Sequence, residues 1–496
     1  MPETLLHNKT HHATIPSVGV ALLLFLILFI TFAYFFHAAP GWNVNSRICL
    51  TYAIVEKRSF AIDNYRKIDA LKTEDIAFSD GHYYSDKIIG TSLLGAVPMT
   101  ALHWLSVALG HDSSWNTKRY VVTTLSVSLL GALAGVVLYR LLLLLGASTA
   151  ASVSLVFALV FGTQMFSVST VFLSYAPAIC FEITSYCLLL KYRSNLRWQV
   201  LVVAGLALGA GLLCEYTLGI VAIGLSIYLL YHLNRRIQII YFWLGAGAPL
   251  LLFVSYTLIC FGRPVIPYEY LVRSEFKEGM SQGFQGITGF NSTVLYYITI
   301  HRYRGLFYHS PFLLLAIWGW IAMWRDRQRR SDAVLSLSMI VAYLAFNASY
   351  YMWWGGWTNG PRHLIPALPF LIVPLVWVWQ SGTIGRVALV VLFSVAFFFN
   401  ALPAMVDAQI PQAYQAYELY HPRLAYNYRD PLWEIGIRSF FKGQLAINGG
   451  QLMGLRGLWS LIPLALLWLL AALGLKAQWP RARCSPEPPT VAGTRV

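Results

Sequence analysis

The sequence predicts an all-α, polytopic membrane protein with about twelve transmembrane helices and one further helix lying in the membrane interface. Three observations predict it. Apolar residues make up 57% of the 496 and charged residues only 11%, where soluble domains carry roughly 25% charged. The apolar residues gather into runs long enough to cross a bilayer. The 17 Trp and 29 Tyr suit side chains that sit at both membrane interfaces. The net charge of +15 lies in short Lys/Arg clusters between the apolar runs. That pattern is a topology signal rather than a nucleic-acid-binding face, so no nucleic acid is expected.

Taken in chain order, the N-terminus is polar to Pro16 and then apolar from Val18 to Phe36, with no convincing small-residue cleavage site, so this run is expected to be a retained first span at 17–37. Further spans are expected at 119–144, 148–170, 172–190, 199–214, 217–233, 237–261, 307–324, 332–352, 363–379, 385–403 and 457–475. The run 88–109 carries Gly90, Gly95, Pro98 and His103, and the charges decide its status. If it does not cross, the clusters Lys191/Arg193/Arg197, Arg235/Arg236, Arg325/Arg327/Arg329/Arg330 and Lys476/Arg481/Arg483 all share the side of the N-terminus. If it crosses, these clusters move to the other face. The positive-inside rule selects the first case. Both termini are then cytoplasmic, 88–109 lies in or dips into the outer interface, and the connections 38–118, 262–306, 353–362 and 404–456 share the outer face. Residues 1–476 are expected to form a single membrane domain and 477–496 a disordered cytoplasmic tail. The six Cys are scattered without metal-ligand spacing and read as small core residues. Neither a short repeat nor an inverted pair of broken helices is evident.

Function is therefore expected on the outer face. The first outer connection reads Gly41-Trp-Asn-Val-Asn-Ser-Arg47, continues through Glu56 and Asp63, and closes on Asp80-Gly-His-Tyr-Tyr-Ser-Asp86-Lys87-Ile-Ile-Gly90. Residues 43–57 have a helical pattern, with Ile48, Tyr52 and Val55 on one face. A carboxylate at the membrane surface can take a proton from an acceptor hydroxyl, and a nearby Lys or Arg can neutralise phosphate oxygens.

A long loop after the first span, then a helix, then an aromatic-acidic-Lys motif before a short apolar segment resembles the membrane glycosyltransferases of the C-type fold. The similarity is to the bacterial branch that includes relatives of protein O-mannosyltransferases and the lipid A aminoarabinose transferases. In that branch a Tyr-Phe-Glu-Lys-Pro-Pro motif ends the loop, and its Lys contacts the phosphate of a polyprenyl-phosphate sugar donor. Tyr83-Tyr84-Ser85-Asp86-Lys87-Ile88-Ile89 holds that place here, without the two prolines, so the resemblance implies a phosphate role for Lys87. Tyr303-Arg304-Gly-Leu-Phe-Tyr-His309-Ser-Pro311 and Gly360-Pro-Arg362-His363-Leu-Ile-Pro-Ala-Leu-Pro369 also look like this group, which adds Arg304 and Arg362 as donor-phosphate candidates. The branch places its catalytic Asp early in the first loop helix. Asn43-Val-Asn45-Ser46-Arg47 has no carboxylate there, and the next acids, Asp63 first and Glu56 second, become the candidate bases. Arg47, Asp86, His82, Tyr84 and His363 complete the candidate set.

Each has a plainer reading. Lys87 and Arg304 could be interfacial anchors, His82 has no partner at metal-ligand spacing, and Glu215 reads as a loop carboxylate. Arg362 and His363 stand at an outer helix start, where anchoring competes with binding of an anion. Glu182 lies within an apolar run, where ionisable groups are functional by default. Trp353, Trp354 and Trp357 read as an aromatic belt, with stacking on a sugar as the sharper alternative.

The resemblance implies transfer of a sugar from a lipid-linked, polyprenyl-phosphate donor to an acceptor glycan, lipid or protein, in the membrane and at the extracytoplasmic face of a bacterial plasma membrane. No cofactor is implied, and a divalent metal requirement stays open. A transporter or flippase of lipid-linked sugars also explains many spans, and an O-antigen polymerase or ligase would use Arg423, Arg429 and His421 in the 404–456 connection. The transferase reading requires that the 38–90 and 262–306 connections converge over one cavity.

Overall fold

The structure, a computed structural model, describes residues 17–356, 358–409 and 430–478. It is a helical bundle with four very short strands. The main helices are α1 (Val18–Ala33), α2 (Trp42–Tyr52), α3 (Gly90–Leu109), α4 (Trp115–Leu144), α5 (Thr149–Phe161), α6 (Tyr175–Asn195), α7 (Trp198–Cys214), α8 (Gly219–His232), α9 (Ile239–Phe261), α10 (Ser274–Ser281), α11 (Ser292–Thr299), α12 (Ala316–Arg325), α13 (Arg330–Ser349), α14 (Thr383–Met405) and α15 (Ile462–Gln478). Among the described residues, six segments are long and apolar enough to cross a membrane: Gly90–Leu109, Trp115–Leu144, Arg236–Phe261, Arg330–Ser349, Thr383–Met405 and Gly457–Gln478. Shorter apolar helices fill the space between them.

Local chemistry sets several boundaries. Helix α4 begins earlier than its apolar run because the Ser114 hydroxyl accepts from the Thr117 amide at 3.2 Å. The run expected as one span at 148–170 breaks at Gly162, after which residues 163–174 fold as short turns. The run at 363–379 is likewise interrupted. Pro366, Pro369 and Pro374 lack amide hydrogens, and the segment folds as a 3₁₀ turn followed by two short helices. Helices α7 and α9 pack unusually close. A side chain at Gly205 would run into the Phe242 carbonyl, and one at Gly245 into the Val202 carbonyl. Small residues thus let two apolar helices approach at backbone distance.

The bundle has two distinct ends. At one, Arg193 reaches Asp332 at 3.2 Å, Arg329 reaches the Leu144 carbonyl at 3.1 Å and Gln380 the Gly146 carbonyl at 3.0 Å. The start of α1 meets the end of α15 there, through Gly19 and Gln478. The long connections gather at the other end. Helix α3 has both of its ends at this loop-bearing end. Ser92, in its first turn, donates to the Arg47 carbonyl at 3.0 Å. Asp112, just beyond its last turn, pairs with Lys118 at 3.0 Å, which pairs with Glu56 at 2.9 Å. Trp104, Leu105, Val107 and Leu109 of α3 are exposed.

The strands tie the loops together. Strand β1 (Phe35–Phe36) pairs with β4 (Ile447–Asn448), joining the end of α1 to the approach to α15. Strands β2 (Ile76–Ser79) and β3 (His82–Ser85) form a two-residue hairpin through Asp80 and Gly81. Both turn residues have positive φ, 48° and 82°, the geometry that an Asp-Gly pair accommodates. The 262–306 connection is bound to this hairpin by the Val272 amide donating to the Ile76 carbonyl at 3.2 Å. It is bound to residue 351 by the Tyr351 amide donating to the Gly286 carbonyl at 2.8 Å.

Candidate functional site

At the loop-bearing end the 38–90 and 262–306 connections close over one cavity of about 620 Å³. Its polar side chains include Asn43 and Arg47 from α2, Asp75, Asp86 and Lys87 from the two roots of the hairpin, and Glu215, Arg362 and His363. Ile220 and Ile223 of α8, with Phe276, Phe284 and Phe346, supply an apolar wall. Ile223 is 64% exposed and continues into the outer surface of α8 beside Ile227 and Tyr231. The cavity therefore joins a charged floor to an apolar flank.

The hairpin register explains the first charge cluster. Ile76 lies opposite Ser85, so the residues just outside that pair, Asp75 and Asp86, come out side by side. Lys87 then reaches both carboxylates, at 2.9 Å and 2.8 Å. Burial works against the Lys87 ammonium, but Asp75 and Asp86 outweigh it and hold its pKa above the ordinary lysine value. Burial also raises the pKa of Asp86. Lys87 offsets part of that rise, and the like charge of Asp75 adds to it. Ser85 fixes the turn by accepting from the Lys87 amide at 3.2 Å and contacting the Ser46 hydroxyl at 2.7 Å.

The second cluster is built across three helices. Arg47 is buried in α2 and donates to the Asn43 carbonyl at 3.2 Å, to the Asn43 side chain, and to the Ser174 hydroxyl at 3.3 Å. Ser174, at the start of α6, donates in turn to Glu215 Oε2 at 2.6 Å. Thr217 donates to Glu215 Oε1 at 3.2 Å. Glu215 stands where α7 ends, with extended backbone angles of φ −144° and ψ 116°, which turn its side chain out of the helical path and into the cavity. Burial lowers the Arg47 pKa, and the nearby Glu215 charge opposes that shift.

Arg362 completes the polar floor. Its stem rests against Gly355, which has positive φ and could not carry a Cβ there without pressing on the arginine. The Arg362 Nε is buried and has no hydrogen-bond partner among the described residues. His363, also buried, meets the Tyr350 ring edge-on at 5.4 Å.

The structure thus brings together five residues singled out from sequence: Arg47, Asp86, Lys87, Arg362 and His363. It places the others elsewhere. Asp63 does not line the cavity. It sits outside the hairpin, accepting from the Tyr83 amide at 3.2 Å and pairing with His82 at 3.3 Å, because the hairpin turns its far face toward this segment. His82 is thereby held at the exposed edge of β3. Glu56 lies at the far end of the α2 segment, where it binds Lys118 at 2.9 Å and the Tyr65 hydroxyl at 2.7 Å. Tyr84 packs edge-on against Phe261 at 5.5 Å. Arg304 is fully buried away from the cavity and donates to the Gly356 carbonyl at 2.8 Å. It clamps the loop that presents Arg362. Glu182 is buried outside the cavity, and its carboxylate oxygens have no hydrogen-bond partner among the described residues; Tyr186 turns instead to Asp332 at 3.1 Å. Trp354 lines the cavity and Trp353 stacks on Tyr297 at 5.4 Å, while Trp357, Arg423, Arg429, His421 and the 479–496 tail lie outside the described residues.

Sequence reasoning missed Asp75 and read Glu215 as a plain loop carboxylate. The signal for Asp75 was present in Asp80-Gly81, a strong hairpin marker flanked by Ile-Ala-Phe-Ser and His-Tyr-Tyr-Ser. Among the described residues, no group of three or more His, Cys, Asp or Glu is arranged to hold a metal ion.

Comparison with known proteins follows the same lines. Residues 98–259 match the family model of dolichyl-phosphate-mannose-protein mannosyltransferases. No curated protein matches the chain in sequence. Among solved structures, the chain is similar to the oligosaccharyltransferase AglB of Archaeoglobus fulgidus, determined with an inhibitory peptide and a dolichol-phosphate, at 12% identity and a TM-score of 0.51. That likeness covers 80% of this chain but only 57% of AglB, so the chain spans somewhat more than half of the length of that neighbour. The chain is therefore an all-α polytopic membrane protein whose fold is similar to that of AglB and part of which matches the mannosyltransferase family model.

Proposed function

We propose that the chain is a glycosyltransferase that takes a sugar from a polyprenyl-phosphate carrier and passes it to an acceptor hydroxyl at the extracytoplasmic face. The observation that carries this reading is the convergence of the 38–90 and 262–306 connections over one cavity that is charged at its floor and apolar at its flank. An apolar flank on α8 suits the prenyl chain, and a charged floor suits the phosphate and sugar. The floor holds Arg47, Lys87 and Arg362 against Asp75, Asp86 and Glu215. Lys87 already shares its charge between two carboxylates, so it orients the donor while Arg362 supplies charge that no carboxylate of the described chain takes up. When the bond from the anomeric carbon to the phosphate breaks, the leaving phosphate gains negative charge, and fixed guanidinium groups stabilise it without reorganising.

The test is transfer by the purified protein, in lipid nanodiscs, from a panel of polyprenyl-phosphate sugars. Sugar transfer from at least one donor is the expected result. Failure on every donor, together with movement of a lipid-linked sugar across the bilayer, would replace the reading with transport. Sidedness has its own check. Alkaline phosphatase fused after Lys191, Arg236 or Lys476 should be inactive, because these residues lie among basic clusters that the positive-inside rule retains in the cytoplasm. Active fusions there would put the cavity on the cytoplasmic face.

Asp63, which does not line the cavity, provides a further check. Asp63→Asn should leave turnover within about twofold of wild type, since substitutions away from buried features change stability by about 0.5 kcal/mol or less. A large fall in turnover with intact folding would return Asp63 to the chemistry.

A further inference from the structure

We infer that Glu215 is the general base of the transfer, the group that takes the proton from the acceptor hydroxyl. This assignment rests on the transferase reading above. Three carboxylates line the cavity, and they are not equivalent. Asp75 and Asp86 both grip the Lys87 ammonium through Oδ2, at 2.9 Å and 2.8 Å, which ties each of them to a cation. Among the described residues, Glu215 accepts only from hydroxyls, Ser174 at 2.6 Å and Thr217 at 3.2 Å. Each carboxylate oxygen has a second lone pair, so an incoming hydroxyl can still donate to it. Geometry comes before acidity in choosing a base, and Glu215 is the one of the three that projects from a helix end into the cavity while free of an ammonium.

Arg47 gives this carboxylate its electrostatic support from one step away. It donates to the Ser174 oxygen at 3.3 Å, and the same hydroxyl donates onward to Glu215. The relay brings the Arg47 charge close to Glu215 without a direct ion pair between them. The step then balances as follows. The acceptor O–H proton moves to a Glu215 oxygen, and the acceptor oxygen forms its bond to the anomeric carbon. The bond from that carbon to the phosphate oxygen breaks, and its electron pair leaves on the lipid phosphate. Glu215 ends neutral and the phosphate ends with one more negative charge, so the positive field of Arg47 passes from the base to the leaving group. Donor and acceptor alone satisfy this balance, with no oxidant or reductant.

A structural role would be a tether, Ser174 to Glu215, holding the start of α6 to the end of α7. Glu215→Gln separates the two, because the amide oxygen still accepts from Ser174 but the side chain cannot take a proton. With the donor identified by the panel above, Glu215→Gln in nanodiscs should lower kcat by about 100-fold or more, the typical scale of general-base catalysis, with donor KM within about twofold. Added formate should restore part of the activity lost by Glu215→Ala. Transfer by a folded Glu215→Gln protein within about fivefold of wild type would overturn the assignment while leaving the transferase reading intact. Loss in Glu215→Ala that formate does not restore, accompanied by a lowered melting temperature, would overturn it in favour of the tether. If the wild-type protein used no donor at all, the transferase reading and this assignment would fall together.

Discussion

Arg362→Ala should weaken use of the lipid-linked donor by about tenfold to a hundredfold or more, with no loss of folding stability. A charge-assisted hydrogen bond to a phosphate contributes about 1.5–3 kcal/mol, and each 1.4 kcal/mol is about tenfold in affinity. Folding should not suffer, because the Arg362 Nε is buried without a hydrogen-bond partner among the described residues. A buried polar group in that state costs free energy in the empty protein and recovers it only when a ligand arrives. The variant should therefore melt at the wild-type temperature or slightly above it while its donor KM rises. Arg362→Lys should recover part of the affinity, since the charge survives but the planar fork that grips two phosphate oxygens does not. Titrating both variants with polyprenyl phosphate, alongside thermal melts in detergent, reads the two quantities separately. An Arg362→Ala protein that binds donor normally but melts early would make this arginine a structural residue and would move the phosphate site toward Lys87.

The second large effect is expected at the other end of the bundle. Asp332 is fully buried in the first turn of α13. It accepts from the Tyr228 hydroxyl of α8 at 2.6 Å and from the Tyr186 hydroxyl of α6 at 3.1 Å. It also pairs with Arg193 at 3.2 Å and Arg329 at 3.6 Å. One carboxylate thus fastens three helices. Removing one partner of a buried ion pair typically costs about 3–5 kcal/mol, because the remaining charges are left without compensation. Asp332→Ala should lower unfolding stability in detergent by about that amount. Asp332→Asn should cost less, since the amide oxygen still accepts from a tyrosine. Neither change touches the cavity, so the surviving folded fraction should keep its donor affinity. A loss below about 1 kcal/mol would mean that Arg193 finds water instead, which its partial exposure would allow.

These two residues illustrate how differently the chain's parts could be read in advance. Asp332 was invisible as a clamp. It stands at the start of an apolar run, and its partners Tyr186, Arg193 and Tyr228 are more than a hundred residues away in sequence. Arg362 was legible, because a Gly-Pro-Arg-His segment before a proline-broken run is unusual enough to single out. Arg304 was singled out by the same kind of signal, yet it turned to the carbonyls of Gly356 and Gly360. Nothing in a local motif distinguishes an arginine that lines a cavity from one that satisfies a loop backbone.

What the sequence determined by itself was the class of the molecule. Segregated apolar runs can be buried only in lipid or against each other, and this depends on composition and on period, both of which are local. The helices and the crowding of chemistry into a few polar connections follow from that alone. Only the tertiary structure decided which residues share the cavity. Asp63 and Glu56 were favoured as the next acids along the chain, whereas the β2–β3 hairpin turns Asp63 outward and brings Asp75 inward through the pairing of Ile76 with Ser85. Glu215 lies 128 positions from Lys87 and reaches the same cavity only because α7 ends against the start of α3, where Gly90 has no side chain to hold the two apart. Proximity in a folded chain is set by which faces pack, and a single sequence records each face without naming its partner.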